Sequence, residues 1–229
     1  MMKSLLPSVF LLTFVLCGVR AQTSVTKEIN TGTFDRIRVS SAIDVTVRQG
    51  DFNVVVDLPP GETKYLRLST ENNTLVVRLE RPAGDWLSSG QRRSPRLTIT
   101  MPSLRGITLS GASDGNVSGF TNVQNLDIQL SGASDLVMRN IEAEKISLKA
   151  SGASDTRLEG RTRRLEAEIS GSSDLSAFGL TADEAIIRAQ GASDANVTVR
   201  RRIEKYARGG SDITVRGNPE TVISKKLED

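Results

Sequence analysis

From residue 104 onward, apolar and polar side chains alternate in short runs. Leu126-Asp127-Ile128-Gln129-Leu130 and Leu165-Glu166-Ala167-Glu168-Ile169 show it most plainly. A period of two sends successive side chains to opposite faces of an extended chain, so each run predicts a strand with one buried face. No stretch sustains a helical stripe instead. The runs are punctuated by one recurring turn. Ser110-Gly111-Ala112-Ser113-Asp114 returns at 131–135, at 151–155, at 170–174 (with Ser172), at 190–194 (with Gln190), and as Gly209-Gly210-Ser211-Asp212. From one aspartate to the next the steps are 21, 20, 19, 20 and 18 residues.

Alignment on the aspartate predicts which positions face inward. Five residues before it stand Leu109, Leu130, Ala150, Ile169, Ala189 and Ala207. Seven before it stand Ile107, Ile128, Leu148, Ala167, Ile187 and, out of pattern, Lys205. Three after it stand Val117, Met138, Leu158, Ala177, Val197 and Val215. Each unit therefore reads as strand, tight turn, strand and a variable polar return loop. A unit of about 20 residues cannot bury its own apolar face, whereas stacked units can. Like residues stacked at one strand spacing per coil give an all-β fold, a parallel β-solenoid or β-helix with coils of about 20 residues. Two packed antiparallel sheets are the competing arrangement, and they leave the in-register repetition of the turn unexplained.

A fainter copy lies at 37–47, with Ile37, Val39, Ala42 and Val47 at the inward positions. Strand-like runs follow at 53–57, 65–69, 74–79 and 96–101, while 81–95 reads as loop from its Pro, Gly and Ser content. One solenoid domain is expected over 34–223, irregular over 34–103 and regular over 104–223. An N-terminal strand and the charged tail 224–229 are the candidate caps.

The first residues do not belong to this fold. Lys3 precedes an apolar run at 5–16, and Val19-Arg20-Ala21 matches a signal-peptidase site before Gln22, which predicts a signal peptide over 1–21 and a linking segment over 22–33. The run is too short for a membrane span, so the mature chain is expected to have none. Leu16 in front of Cys17 disfavours lipid attachment, and removal of the leader leaves no thiol for disulfides, metal or nucleophilic chemistry. Without the leader, 28 basic residues face 27 acidic ones. This near-neutral balance argues against nucleic acid as a partner, as do the scarce aromatics. The clusters Arg161-Thr162-Arg163-Arg164 and Arg200-Arg201-Arg202 read as solvated coil edges.

Phe34-x-x-Ile37-x-Val39, then Ile43-Asp44-Val45-x-Val47-x-Gln49-Gly50-Asp51, then Thr74-Leu75 and the repeated Ser-Gly-Ala-Ser-Asp together resemble the head GIN domain family. Its members are labelled putative autotransporter adhesins and are common in Bacteroidetes-type envelopes. The resemblance covers nearly all of the mature chain and implies a right-handed β-helix. It brings no catalytic residues with it, and no autotransporter barrel or sorting domain is recognisable beside it.

The turn admits three chemistries. As architecture, Gly supplies an unusual backbone angle, the small third residue fills a tight corner, and Ser and Asp bond nearby backbone groups as in Asx and Ser/Thr turns. As a cation site, the ladder Asp114, Asp135, Asp155, Asp174, Asp194 and Asp212 stacks like charges that Ca²⁺ would neutralise, although the Gly-Gly-x-Gly-x-Asp calcium repeat is absent. As an enzyme, paired carboxylates would cleave polysaccharide. Nothing singles out two of the six, and a chain without histidine has no His-dependent triad or His-metal site. The structural reading accounts for every residue type in the turn, so no catalytic residue, metal ligand or cofactor is assigned. The expectation is a non-enzymatic exported envelope or surface protein, adhesin-like or structural, contacting a protein or glycan. The alternatives are a carbohydrate-active β-helix enzyme and a periplasmic structural or sensory module. Open solenoid edges also admit end-to-end oligomers.

Overall fold

The computed structural model describes residues 25–28, 32–82 and 94–226. The leader with Cys17, most of the loop at 81–95 and the last residues of the charged tail lie outside them. Among the described residues there is a single one-turn 3₁₀ segment, Thr63–Tyr65, and no α-helix.

The N-terminal strands are β1 (Val25–Glu28), β2 (Arg36–Val39), β3 (Asp44–Gln49), β4 (Asn53–Leu58), β5 (Leu66–Glu71), β6 (Thr74–Leu79) and β7 (Arg96–Met101). Next come β8 (Gly106–Gly111), β9 (Gly115–Ser118) and β10 (Val123–Gly132). Four long, bent strands follow, β11 (Leu136–Ala150), β12 (Asp155–Gly171), β13 (Asp174–Gly191) and β14 (Asp194–Gly209), and then β15 (Asp212–Gly217) and β16 (Thr221–Lys226). Ser224, Lys225 and Lys226 thus continue the last strand, because they pair in register with Lys205, Tyr206 and Ala207.

The coils stack in parallel, as the repeat requires. On the first face Ile37, Ile107, Ile128, Leu148, Ala167 and Ile187 stand in one column. On the second, Val47, Val117 and Met138 form another, continued by Ala177, Val197 and Val215. All but Val215 are buried, so the columns make one continuous core. The parallel β-solenoid is the fold, and the antiparallel sandwich is excluded for the repeats.

The return segments differ from expectation. Rather than polar loops, the second parts of the coils are strand with their own inward residues. Ile141 lies in register with Gly160 and Leu180, and Ala143 with Thr162 and Ala182. Ile141, Ala143, Leu180 and Ala182 are buried and close the third side of the coil. Register shifts between Met138 and Ile141, and between Arg157 and Glu159, mark the corner that starts this side. Such bulges bend a strand without ending it.

The irregular first coils also have a cause. β2 and β3 stack in parallel on β8 and β9 on one side and on β6 and β7 on the other, but the strands beyond β6 and β7 reverse. β5 pairs antiparallel with β6, while β4 pairs antiparallel with β7 and β1 with β4. These hairpins end the stacking and cover the top of the core, where Val54, Val56, Leu75, Val77, Leu97 and Ile99 are buried. Glu62 is fully buried there against Arg81. In the first turn the inward residue is Ile43, not Ala42. Ala42 has a left-handed φ of 55° and is exposed.

Candidate functional site

The turn begins with its glycine. Gly152 has φ of +91°, and a Cβ there would sit 2.4 Å from the Gly132 carbonyl oxygen of the preceding coil. Glycine is thus required twice, for the backbone angle and for the closeness of stacking. The small third residue has a different place from the one expected. Ala112, Ala133, Ala153, Ser172 and Ala192 are exposed rather than filling a corner. Their N–H groups tie the coils, as in Ala133 to Gly111 O and Ala153 to Gly132 O, both 2.8 Å.

The residue that fills the corner is the serine after it. Ser113, Ser134, Ser154, Ser173 and Ser193 are fully buried. Each backbone N–H donates to the hydroxyl of the next coil's serine. The donor pairs are Ser113 to Ser134 Oγ (3.4 Å), Ser134 to Ser154 Oγ (3.4 Å), Ser154 to Ser173 Oγ (3.2 Å), Ser173 to Ser193 Oγ (3.4 Å) and Ser193 to Ser211 Oγ (3.4 Å). Ser113, Ser134 and Ser154 hydroxyls in turn donate to the carbonyl three residues back, at 3.2 Å. A buried N–H and a buried hydroxyl are satisfied together. The signal for this ladder was in the sequence, because the fourth place of the motif is serine in all six copies.

The aspartates form the outer ladder. Asp114, Asp135, Asp155, Asp174, Asp194 and Asp212 are all exposed, one per coil, with Asp44 continuing the column. The carboxylates of Asp135, Asp174 and Asp194 reach across to the next coil instead of closing Asx turns. Asp155 N–H donates to Asp135 Oδ1 (3.2 Å), Asp194 N–H to Asp174 Oδ1 (3.0 Å) and Asp212 N–H to Asp194 Oδ1 (3.2 Å). Partial burial holds the Asp155 carboxyl above the usual carboxylate range, with the charges of Asp135 and Asp174 adding to it. The Asp174 N–H partly offsets the rise. Asp44 is raised likewise, by burial first and by Asp114 second. Like charges thus add to the effect of burial at Asp155 and Asp44, and backbone N–H groups bond the carboxylates of Asp135, Asp174 and Asp194. Among the described residues no three carboxylates gather as a metal site would need.

Charges on the other outward surfaces are paired between and along the strands. On the first face Lys145 and Arg164 both bond Glu166, at 2.7 and 2.8 Å, and the two basic groups together hold its carboxyl below the usual range. At the third corner a trough of about 610 Å³ runs across several coils. Glu142, Glu144, Arg161, Arg163, Asp183 and Arg200 line it. Arg163 pairs with Glu144 (2.9 Å) and Arg200 with Asp183 (3.5 Å). The Arg161 side chain makes no hydrogen bond or ion pair within the described residues. Reading the arginine clusters as solvated edges foresaw their exposure but not this hollow.

The family model described as "Putative auto-transporter adhesin, head GIN domain" matches residues 33–219. The chain belongs to this family. Solved structures share the head GIN domain fold. A putative adhesin from Bacteroides fragilis superposes with a TM-score of 0.81 at 21% identity, over 90% of this chain and 94% of its own. A putative lipid binding protein from Parabacteroides distasonis gives 0.66 at 16% identity, over 91% and 98%. A putative adhesin from Parabacteroides merdae gives 0.63 at 15% identity, over 90% and 95%. No curated protein matches the chain. Among the described residues no helix is long and apolar enough to cross a membrane.

Proposed function

We propose that this head GIN domain is a non-enzymatic, exported interaction module of the cell envelope, which presents fixed columns of polar side chains to a hydroxyl-rich partner such as a glycan. The trough at the third corner carries this reading. Its rigid strands fix carboxylate and guanidinium groups one coil apart, and Arg161 retains unused donors in an open, polar hollow. Preset polar groups of this kind bind without a costly ordering step. Membership of a family described as adhesins supports the same reading. A glycan array on the purified protein tests it. Binding of a glycan class, lost in Arg161→Ala while the melting temperature holds, is the expected result. No binding on the array, or binding indifferent to Arg161, would overturn it.

A second reading, a carbohydrate-active enzyme, would have to use the carboxylates of the same trough. Glu144 is engaged by Arg163 at 2.9 Å and Asp183 by Arg200 at 3.5 Å, so both are occupied in ion pairs rather than set as an acid and a base about a shared bond. Incubation with any array-positive polysaccharide is therefore expected to release no reducing ends.

A further inference from the structure

β15 stacks on β14 through one edge, and among the described residues no strand pairs with its other edge. The Asp212 N–H points back at Asp194 Oδ1. Strand alternation then turns the peptide groups of Ile213 and Val215 to the open side. One of these groups has a substitute partner: Lys205 Nζ reaches the Ile213 carbonyl at 3.3 Å. Lys205 stands in the column that Ile187 and Leu148 fill elsewhere, so the usual apolar stack gives way to a lysine at this end. An open edge of this kind is a template for another strand.

The edge is complementary to itself. Set antiparallel to a second copy and centred on Thr214, Asp212-Ile213-Thr214-Val215-Arg216 places Asp212 opposite Arg216 of the second copy, twice over. On the inner side Ile213 meets Val215, again twice, and those are the residues whose N–H and C=O groups face outward. Thr214 meets Thr214, a favourable cross-strand pair. Both charged groups are available. The Arg216 guanidinium lies over the Phe178 ring, 3.7 Å from its centroid, which leaves the edge N–H groups without a carboxylate among the described residues. Among the described residues Asp212 accepts only the Thr214 hydroxyl, at 3.0 Å, and receives no N–H of the kind that it donates to Asp194. The opposite end has no such symmetry, since Arg67 on β5 is already paired with Glu80.

We propose that two copies of this chain associate end to end across a twofold axis, through antiparallel pairing of β15 with β15 of the second copy. The symmetry is closed, so pairing stops at two and makes no filament. Lys205 yields the Ile213 carbonyl to the incoming strand. The inference is independent of what the trough binds.

Sedimentation velocity on the purified protein over a wide concentration range tests it, and the expected result is a monomer–dimer equilibrium. Val215→Pro removes an outward N–H that no bond within the chain uses, so it should leave a monomer with an unchanged melting temperature. Asp212→Arg sets like charges opposite each other and should weaken the dimer about tenfold or more. Adding Arg216→Asp to that variant reverses both charges and should restore the dimer. A monomer at every concentration overturns the proposal. So does a dimer that survives both Val215→Pro and Asp212→Arg, because it would use another surface.

Discussion

Ser154 shows how much one small side chain can hold together in this fold. Its hydroxyl accepts the buried Ser134 N–H and donates to the Ser151 carbonyl, in a corner that serine fills in every coil after the first. Ser154→Ala leaves that N–H buried without a partner, and the expected cost is about 1–3 kcal/mol in urea unfolding. Asp155, in the adjoining column, should behave oppositely. Its folded-state pKa is raised, so the folded protein holds the proton more tightly than the unfolded chain does. Stability from this group is present below the ordinary carboxylate range and is lost as pH rises through the raised value. Asp155→Asn keeps an acceptor oxygen and removes the charge. Urea midpoints should therefore match or slightly exceed wild type at neutral pH, by a few tenths of a kcal/mol after solvent screening, and should converge in acid. A clear loss of stability at neutral pH would show that the carboxylate's bonds outweigh its repulsion.

At the scale of strands, the sequence carried the inward columns residue by residue, because each places an aliphatic at a fixed distance from an aspartate. The return segments were illegible for a physical reason. Ile141-Glu142-Ala143-Glu144 does alternate, but the register shift between Met138 and Ile141 cuts it off from the preceding strand and leaves a run too short to read by itself. Ala42 was misplaced because the first turn has Ile43 where later coils have serine, which shifts the apolar residue by one position. The trough was hidden too, since it forms where arginines and carboxylates of separate coils meet. Ile141 tests the corrected picture. Ile141→Ala should cost about 2–5 kcal/mol in urea unfolding, as a buried aliphatic does, whereas Glu142→Ala beside it should stay within about 0.5 kcal/mol. Equal and small effects would return the segment to the loop first expected.

For the whole molecule, the outer aspartate ladder decides whether the rod is a calcium protein. Its carboxylates already accept N–H groups from neighbouring coils. Thermal melts with millimolar Ca²⁺ and with chelator are thus expected to coincide. A rise of several degrees with Ca²⁺ would instead show that the column loads a cation. Family membership and the parallel stack were both readable from the repeated turn, since that turn fixes register between coils. What the rod contacts was not, because outward side chains leave no mark on the period.

The hairpins that close the first coils have a further consequence for how the molecule is made. All their strands end by Met101, before the first full copy of the repeated turn. A chain synthesised from its N-terminus therefore completes a finished platform first. Once β8 and β9 have stacked on β2 and β3, every later coil finds a fixed edge waiting for it, about 20 residues back along the chain. Assembly becomes a sequence of short, local steps rather than a search for distant partners, which is the regime in which β proteins fold fastest and expose the least unpaired strand.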